Sequence, residues 1–427
     1  MNLFWQSATC RMMVMEHPLF TTLPQEEQDY ILQLDQMYHF SFQEQRQLIE
    51  TACDLIQWKK GPLSAWMDAS SDIKLQGRQR SKQLMNNLLF KVEQERKKPT
   101  DYEDFFPAER LMDKYKSMIV TKDKIMGRCP CPVEGEKTRC CNLKTLDAVF
   151  QCAFGCSYCS IQSFYHSHEI QVVENLKQRL EVLQLEKDTW HIGTGQSSDS
   201  LLWGNDYGTL DALIVLANRY PDTIIELKTK SHRSDWMEME LPKNIVATYS
   251  INAPTIIEKE EHLTATLDQR LQAARKAADR GIPVGFHLHP MVYFSSWKEE
   301  YKQVIEAVTS LFKPEELVMF SLGTLTFTKA VLKEMRSQKR ESRILDMELS
   351  SAAGKFSYPL SVKQELFSYA YSLFPNNWKD NGPFFYLCME DPSLWQPTFG
   401  YSYLNDKSFE AAMKLAYQTR IQQFRRT

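Results

Sequence analysis

Residues 150–160 read Phe-Gln-Cys-Ala-Phe-Gly-Cys-Ser-Tyr-Cys-Ser, so Cys152, Cys156 and Cys159 form a C-x3-C-x2-C array. Three thiolates on one loop can bind three irons of a cubane, which leaves the fourth iron without a protein ligand. An open iron can bind the amino and carboxylate groups of S-adenosylmethionine, and cleavage of that molecule gives a 5′-deoxyadenosyl radical. The array therefore predicts a 4Fe-4S cluster and S-adenosylmethionine as cofactors.

A zinc site is the alternative interpretation of these cysteines. Zinc prefers two separated pairs of ligands that give four donors in total, which this loop alone does not supply. Gly155 permits tight packing of the loop, and Tyr158 places an aromatic ring directly before the last cysteine. Tyr158 is therefore a candidate catalytic residue that could contact the adenine ring.

From about residue 143 onward, short apolar runs alternate with longer helical patterns. This alternation predicts parallel βα units with right-handed crossovers, and six strands are too few for a closed eight-stranded barrel. We expect an α/β fold with a partial (βα)6 barrel of the radical S-adenosylmethionine type. The predicted strands are Leu146 to Gln151, Trp190 to Gly193, Thr223 to Lys228, Ile245 to Ile251, Val284 to His289 and Leu317 to Leu322.

The regions on either side of the barrel have different patterns. Apolar positions at helical spacing predict a helical N-terminal attachment, with helices at Gln25 to Met37, Phe42 to Trp58 and Ile73 to Gln94. The expected organisation is a helical region at 1–110, a cysteine-containing lead-in at 111–142, the barrel at 143–345 and a small mixed C-terminal extension at 346–427. Within that extension, Phe384 to Glu390 reads as a short buried strand.

Composition narrows the function classes. No apolar run is long enough to span a membrane and the N-terminus lacks the pattern of a signal peptide, so we expect a cytoplasmic protein without membrane contacts. The net charge of −3 gives no global attraction to nucleic acid. Ten cysteines in a cytoplasmic chain indicate metal binding rather than disulfides, because seven of them fall between residues 129 and 159.

From about residue 120 to about residue 400 the chain resembles the spore photoproduct lyase family of radical enzymes. The segments that carry the resemblance occur in the same order as in that family. They are Cys152 to Cys159, His191 to Ser200, Lys228 to Ser231, Tyr249 to Asn252, Leu267 to Arg270, Gly285 to Pro290 and Tyr386 to Glu390.

The resemblance implies that polar residues at the strand ends hold S-adenosylmethionine. Ser198 and Asp199 follow the second predicted strand, Lys230 follows the third, and Ser250 and Asn252 lie at the end of the fourth. Ammonium, hydroxyl and carboxylate groups suit the polar groups of that cofactor. The alternative is that Lys230 is a solvated loop lysine and Ser250 a core hydroxyl.

Two positions depart from the family pattern. Lyases that repair a thymine dimer return a hydrogen atom from a cysteine just after the second strand, where this chain has Gln196. The family's radical relay also uses a tyrosine directly after the last cluster cysteine, which is Ser160 here. A related reaction on another substrate is therefore expected.

A second group of thiols precedes the barrel. Cys129, Cys131, Cys140 and Cys141 could bind a structural zinc or a second iron-sulfur cluster, or could remain unbound. Farther along the chain, His287 and His289 alternate on the fifth predicted strand and so face the same side. They could bind substrate or move protons if that side is the barrel interior, and a hydrogen-bonded core pair is the alternative.

The sequence thus predicts a lyase-like radical enzyme that acts on DNA or a nucleotide-like substrate, with a reductase, flavodoxin or ferredoxin as electron donor. A damaged base would have to leave the stack to reach a buried radical. A radical enzyme that modifies a peptide, a lipid or a small metabolite is the second hypothesis. A non-catalytic iron-sulfur or zinc protein is the third.

Overall fold

The computed structural model describes residues 16–67, 76–108, 116–122, 124–129, 138–160, 169–338, 340–352 and 354–426. The chain divides into two compact units. The first lies within Met1–Glu109 and Thr328–Leu349, and the second within Arg110–Phe327 and Ser350–Thr427. The predicted domain limits at residues 110, 142 and 345 stay predictions.

The first unit is helical among its described residues. Its helices are Gln25–Tyr38, Phe42–Gln57, Leu63–Trp66, Gly77–Arg96 and Lys329–Ser337, with a 3-10 turn at Phe20–Thr22. Ser41 begins the second helix with a capping box in which its hydroxyl and the Glu44 carboxylate satisfy each other's backbone N–H groups. At the centre of the unit, the buried carboxylate of Asp54 accepts hydrogen bonds from Arg96 at 2.7 Å and from Arg336 at 2.7 and 3.0 Å.

The second unit is built on strands β1 to β16. In chain order these are Lys116–Val120, Met126–Arg128, Lys144–Leu146, Val149–Phe150, Gly155–Cys156, Glu169–Val173, His191–Thr194, Ile224–Thr229, Ile245–Ile251, Glu261–His262, Val284–Met291, Leu317–Thr324, Thr326–Phe327, Ser350–Ala352, Lys355–Ser357 and Phe384–Leu387. Eight of them form one sheet in the order β16-β12-β11-β9-β8-β7-β3-β2. All neighbours in it are parallel except β2 and β3.

This sheet is an open half-barrel, so the predicted α/β fold with a partial radical S-adenosylmethionine barrel is confirmed. The strand order follows the chain, which is the winding of a (β/α) barrel, but β16 and β2 remain unjoined edges. The helices of this unit are Leu176–Val182, Thr209–Arg219, Pro254–Glu260, Leu267–Asp279, Trp297–Leu311, Leu360–Ser372, Asn376–Asn381, Trp395–Phe399 and Asp406–Arg426.

Two predicted strands differ from the structure. The first barrel strand, expected at Leu146 to Gln151, is β3 at Lys144–Leu146; the apolar residues that follow form β4, which pairs with β6 in another sheet. The strand expected in the C-terminal extension is β16, which pairs in parallel with β12 and adds a seventh parallel strand to the half-barrel. Phe385, near the start of this strand, packs against Phe374 and Phe320, which explains why the strand joins the core.

The helix Asp406–Arg426 packs against the concave side of the sheet. Its Tyr417 ring lies 5.4 Å from the ring of His191 and 6.2 Å from that of Phe384, so it touches strands near both edges. Glu410 accepts a hydrogen bond from Trp190 at 2.9 Å and one from Asn142 at 3.0 Å. The helix therefore fills the gap that the open sheet leaves.

Among the described residues, no helix has the length and apolar character needed to cross a bilayer.

We expect Asp54→Asn to lower the free energy of unfolding by about 3 kcal/mol, because two arginines then lose their buried counter-charge. Urea denaturation followed by circular dichroism measures it. Glu50→Gln is the matched control: Glu50 reaches Arg336 only at 3.7 Å and is partly exposed, so its loss should cost less than about 1 kcal/mol. Equal effects of the two substitutions would contradict this assignment.

Candidate active site

The three cysteines of the array lie on the loop that follows β3, at the carboxyl end of the parallel sheet. Cys156 is buried, while Cys152 and Cys159 are partly exposed. The loop is fixed by β5, which pairs antiparallel with β10 so that Cys156 lies opposite Glu261. The backbone N–H of Ser157 also donates to the Glu260 carbonyl at 2.8 Å. These contacts hold the middle thiol in place against the fourth βα connection.

Glu261 is the centre of the polar contacts beneath this loop. Its Oε1 accepts hydrogen bonds from the Tyr158 hydroxyl, from Lys230 Nζ at 2.7 Å and from Asn252 Nδ2 at 3.2 Å. Lys230 Nζ also donates to the Tyr158 hydroxyl at 2.6 Å and lies 5.1 Å from the centre of its ring. Three residues predicted from the sequence thus meet at one carboxylate that was not predicted.

Arg270 neutralises the same carboxylate from the other side. Its guanidinium is fully buried and donates to Glu261 Oε2 at 2.7 Å, to the Ser250 carbonyl at 2.8 Å and to the Ala265 carbonyl at 2.8 Å. Burial would raise the pKa of Glu261, but Lys230 and Arg270 outweigh it and hold that pKa below its usual range. The carboxylate is therefore charged, and Tyr158, whose pKa is raised by burial and by Glu261, is neutral.

Ser198 and Asp199 form a separate group at the end of β7. The hydroxyl of Ser198 donates to the Gln151 carbonyl at 2.7 Å, directly before Cys152. Asp199 accepts from the backbone N–H groups of Leu201 at 3.0 Å and Leu202 at 2.8 Å, and burial raises its pKa. It also accepts from Thr229 and from the Lys230 N–H, both at 2.7 Å. These bonds join the loop after β7 to the end of β8.

Ser250 and Asn252 lie at the end of β9, where both are buried. Asn252 Nδ2 donates to the Pro290 carbonyl at 2.9 Å, and its Oδ1 accepts from the Tyr301 hydroxyl at 3.1 Å. Ser250 contributes its carbonyl to Arg270, as described above. Among the predicted cofactor residues, Lys230 and Asn252 are therefore brought together with Tyr158, while Ser198 and Asp199 brace the cysteine loop.

The donor set on this loop fits an iron-sulfur cubane better than a single ion. Among the residues that the structure describes, no three His, Cys, Asp or Glu side chains converge as a mononuclear metal site requires. In a cubane each thiolate binds its own iron, so the thiols surround the cluster without converging on one point. Burial raises the pKa of Cys156 to about 12, and the nearby Lys230 charge opposes that effect.

The glycine after β7 has a defined role. Gly195 adopts a φ of +80°, and a Cβ built there would lie 2.6 Å from the Ser200 hydroxyl oxygen. Because only glycine combines that backbone conformation with such a close approach, the loop can turn back toward β8. This turn places Gln196, the position that departs from the family's cysteine, at the carboxyl end of β7.

His287 lies on the concave face of the sheet in a buried network around Glu226. Its Nε2 bonds to Glu226 Oε1 at 2.6 Å and its Nδ1 to the Ser321 hydroxyl at 2.6 Å. Glu226 also accepts from Thr248 at 2.8 Å and bonds His191 Nε2 at 2.9 Å. This face is the one that the helix Asp406–Arg426 covers, so His287 is a satisfied interior residue. His289, two residues later, lies against Gly323.

The second cysteine group is only partly visible. Cys131 lies outside the described residues. Cys129 follows β2, and its N–H donates to the Leu143 carbonyl at 3.0 Å. Cys140 is buried, and its sulfur accepts from the Asn142 N–H at 3.4 Å. A zinc or iron site at these four residues remains a prediction.

Glu261 and Arg270 are the functional candidates that sequence reasoning missed. Leu267 to Arg270 contributed to the family resemblance, but no role was derived for the arginine. Glu261 belongs to a two-residue strand, and so short a pairing leaves no periodic signal in the sequence. Its neighbour Glu260 carries the same charge, so residue type alone does not distinguish the two.

We expect Glu261→Gln to destabilise the protein by about 3 kcal/mol or more, since it leaves the fully buried Arg270 without a counter-charge. Urea denaturation measures the loss. Glu258→Gln is the control, because Glu258 is 71% exposed and forms an ion pair with Lys259, so the change should cost less than about 0.5 kcal/mol. Wild-type stability in the Glu261 variant would show that the carboxylate does not hold the loop.

The histidines of the concave face predict a pH dependence. Burial lowers the pKa of His287 to about 4 and that of His289 to about 3; Lys228 adds to both effects, and Glu226 opposes the one on His287. Between pH 6.5 and those values the unfolded chain binds protons that the folded chain does not. The contribution of these histidines to the free energy of unfolding is therefore fully present above pH 6.5. It falls as the pH drops, by about 1.4 kcal/mol per pH unit for each histidine.

His287→Gln should reduce the dependence of the free energy of unfolding on pH by the contribution of one histidine, about 1.4 kcal/mol per pH unit. Free energies of unfolding measured between pH 7 and pH 4.5 test it. The control is His232→Gln, whose side chain is exposed and should leave the slope unchanged. An unaltered slope in the His287 variant would be inconsistent with a neutral, buried imidazole.

Comparison with known proteins finds similarity to spore photoproduct lyases over part of the chain. The family model for spore photoproduct lyase matches residues 208–359. The spore photoproduct lyase of Bacillus subtilis (strain 168) is 29% identical over 142 residues, which is 30% of this chain and 41% of that protein. The enzyme of Clostridium acetobutylicum is 23% identical over 179 residues, which is 40% of this chain and 53% of that protein. The chain thus matches about half or less of the length of these relatives.

Solved structures agree at the level of the fold. A spore photoproduct lyase complexed with dinucleoside spore photoproduct superposes with a TM-score of 0.51 at 18% identity, over 64% of this chain and 82% of that one. A C140S mutant of spore photoproduct lyase gives a TM-score of 0.50 at 17% identity, over 64% and 82%. The matched residues, the segment order and the half-barrel thus agree in a similarity to spore photoproduct lyases.

Proposed function

We propose that this protein is a radical S-adenosylmethionine enzyme that acts on DNA or a nucleotide-like substrate. Cys152, Cys156 and Cys159 would hold a 4Fe-4S cluster that, when bound, supplies the electron for cleavage of S-adenosylmethionine. The observation that carries the proposal is the position of these three thiols, on one loop at the carboxyl end of a parallel half-barrel, where α/β barrels gather their chemistry. A reductase, flavodoxin or ferredoxin would supply that electron to the protein.

The chain's own residues have separable roles in this proposal. Lys230 and Asn252 are the predicted cofactor-binding residues that lie beside Tyr158 under the loop. Lys230 presents an ammonium, which suits a carboxylate, and the Tyr158 ring offers a face for stacking. Ser198 and Asp199 support the same site indirectly, because their hydrogen bonds fix the start of the cysteine loop and the end of β8. Glu261 keeps Lys230 oriented.

The substrate class rests on the relatives. One structural neighbour is a spore photoproduct lyase complexed with dinucleoside spore photoproduct. Unstacking a base costs about a few kcal/mol, and the cost is least for a damaged base. A nucleotide lesion therefore suits a site at the mouth of a barrel. The net charge of −3 gives no general affinity for polyanions, so recognition would depend on the lesion rather than on the backbone.

Gln196 favours a second candidate, a radical reaction on a peptide, a lipid or a small metabolite. A glutamine side chain has no weakly bound hydrogen atom to return to a product radical, in contrast to the cysteine expected at this position. The product must then receive its hydrogen from another group, or the reaction must end without that step. Both routes keep the cofactors and change the product.

Anaerobic reconstitution with iron and sulfide, followed by dithionite and S-adenosylmethionine, tests the proposal. We expect 5′-deoxyadenosine from the wild-type protein and at least about a 100-fold loss for Cys156→Ala, since the cluster then lacks a ligand. Cys53→Ala, a buried cysteine of the first unit, is the control and should retain activity. An intact cluster without product would overturn the enzyme proposal and favour a structural or sensing role.

The substrate is then tested with dinucleoside spore photoproduct, undamaged dinucleotide and a short peptide. Stimulation of 5′-deoxyadenosine formation by the lesion alone would support the nucleotide class. Stimulation by the peptide alone would support the second candidate.

A further inference from the structure

Alternate residues of the central strands line the concave face of the half-barrel. The hydrogen bonds among Glu226, Thr248 and His287 show which side chains point there. Because side chains alternate along a strand, Lys228 and His289 face the same side, one step nearer the carboxyl end of the sheet. On β16, Tyr386 is the register partner of Ser321, which contacts His287.

Cys388 continues this face beyond the end of β16. It lies two residues after Tyr386, and its N–H donates to the Leu322 carbonyl at 2.8 Å, so the strand alternation extends to it. Its thiol therefore belongs to the carboxyl end of the interior, with Lys228 and His289.

Two segments of the cysteine-rich lead-in lie against the same end of the sheet. The Arg139 N–H donates to the Glu390 carbonyl at 2.9 Å, which places Cys140 and Cys141 alongside the residues after β16. The Cys129 N–H donates to the Leu143 carbonyl at 3.0 Å, which places Cys129 beside the residues that follow Cys141. Three stretches that are distant in sequence thus bring four thiols to one region.

Electrostatic coupling agrees with this placement. The thiols of Cys388, Cys129 and Cys140 lie near enough to Cys141 to interact with it electrostatically. Lys228 interacts in the same way with Cys388, Cys129 and Cys141. The ammonium of Lys228 therefore lies near this group of thiols.

We propose that Cys129, Cys140, Cys141 and Cys388 bind a second iron-sulfur cluster at the carboxyl end of the half-barrel. The adjacent pair Cys140-Cys141 suits a cubane, in which neighbouring cysteines bind different irons, and is awkward for one tetrahedral ion. The ammonium of Lys228 would balance the negative charge of a cluster with four thiolate ligands.

The ligand set differs from the one that the sequence suggested. Cys388 lies about 250 residues farther along the chain than Cys140, so no linear motif reveals the set. The proposal is independent of radical chemistry, because a second cluster would serve equally for electron transfer or for substrate binding.

Iron and acid-labile sulfide per chain, measured after anaerobic reconstitution of the full-length protein, test the proposal. We expect about eight irons in the wild type and about four in the triple variant Cys152→Ala, Cys156→Ala, Cys159→Ala, with the Mössbauer signature of a 4Fe-4S cluster retained. In that triple background Cys388→Ser should reduce bound iron at least several-fold, and Cys129→Ser should do the same. Cys53→Ala should change nothing.

A triple variant without iron, or one whose iron is unaffected by Cys388→Ser, would overturn the proposal, as would stoichiometric zinc in place of iron. Circular dichroism and the unfolding midpoint of each apoprotein separate loss of the site from loss of the fold. The readout is also distinct from the test of the proposed function, because the triple variant has no radical activity to lose.

Discussion

The carboxylate of Glu261 is the contact on which the candidate site depends. It is fully buried, and its charge is compensated by Lys230 on one oxygen and Arg270 on the other. Because Glu261 also pairs through its backbone with Cys156, the position of the cysteine loop is set by the same residue that orients the lysine. Removing two charges from water is costly, and the cost is offset only while all the partners stay in place.

The concave face of the sheet follows a similar principle. A buried glutamate on β8 forms hydrogen bonds with residues on the neighbouring strands, and two imidazole partners keep it ionised despite its burial. Burial raises the pKa of Glu226, but His287 and His191 lower it well below its usual range. The interior of this half-barrel is thus a polar network that requires a unique strand register, since a shift of one residue would move every partner to the other face.

Much of the fold is predictable because its elements are long and regular. The strand Ile245–Ile251 has the bounds that its pattern predicts. The cysteine loop is likewise visible, because its chemistry is local in sequence. What sequence reasoning cannot find is pairing that joins distant short segments, such as Glu261 with Cys156 or Arg139 with Glu390. Asp199 was predicted as a cofactor-binding residue from its position after a strand. Its oxygens accept four hydrogen bonds from the protein, which the sequence does not reveal.

The covering of the half-barrel by its last strand and by the helix Asp406–Arg426 has a consequence for biosynthesis. The contacts of Arg139 with Glu390 and of Trp190 with Glu410 join segments more than 200 residues apart. At a synthesis rate of about 5–20 residues per second, the thiols around residue 156 leave the ribosome about 10–50 s before these partners exist. During that interval the concave face is open to solvent, so the nascent chain presents its cysteines to metal donors, and to oxidants, before the interior is covered.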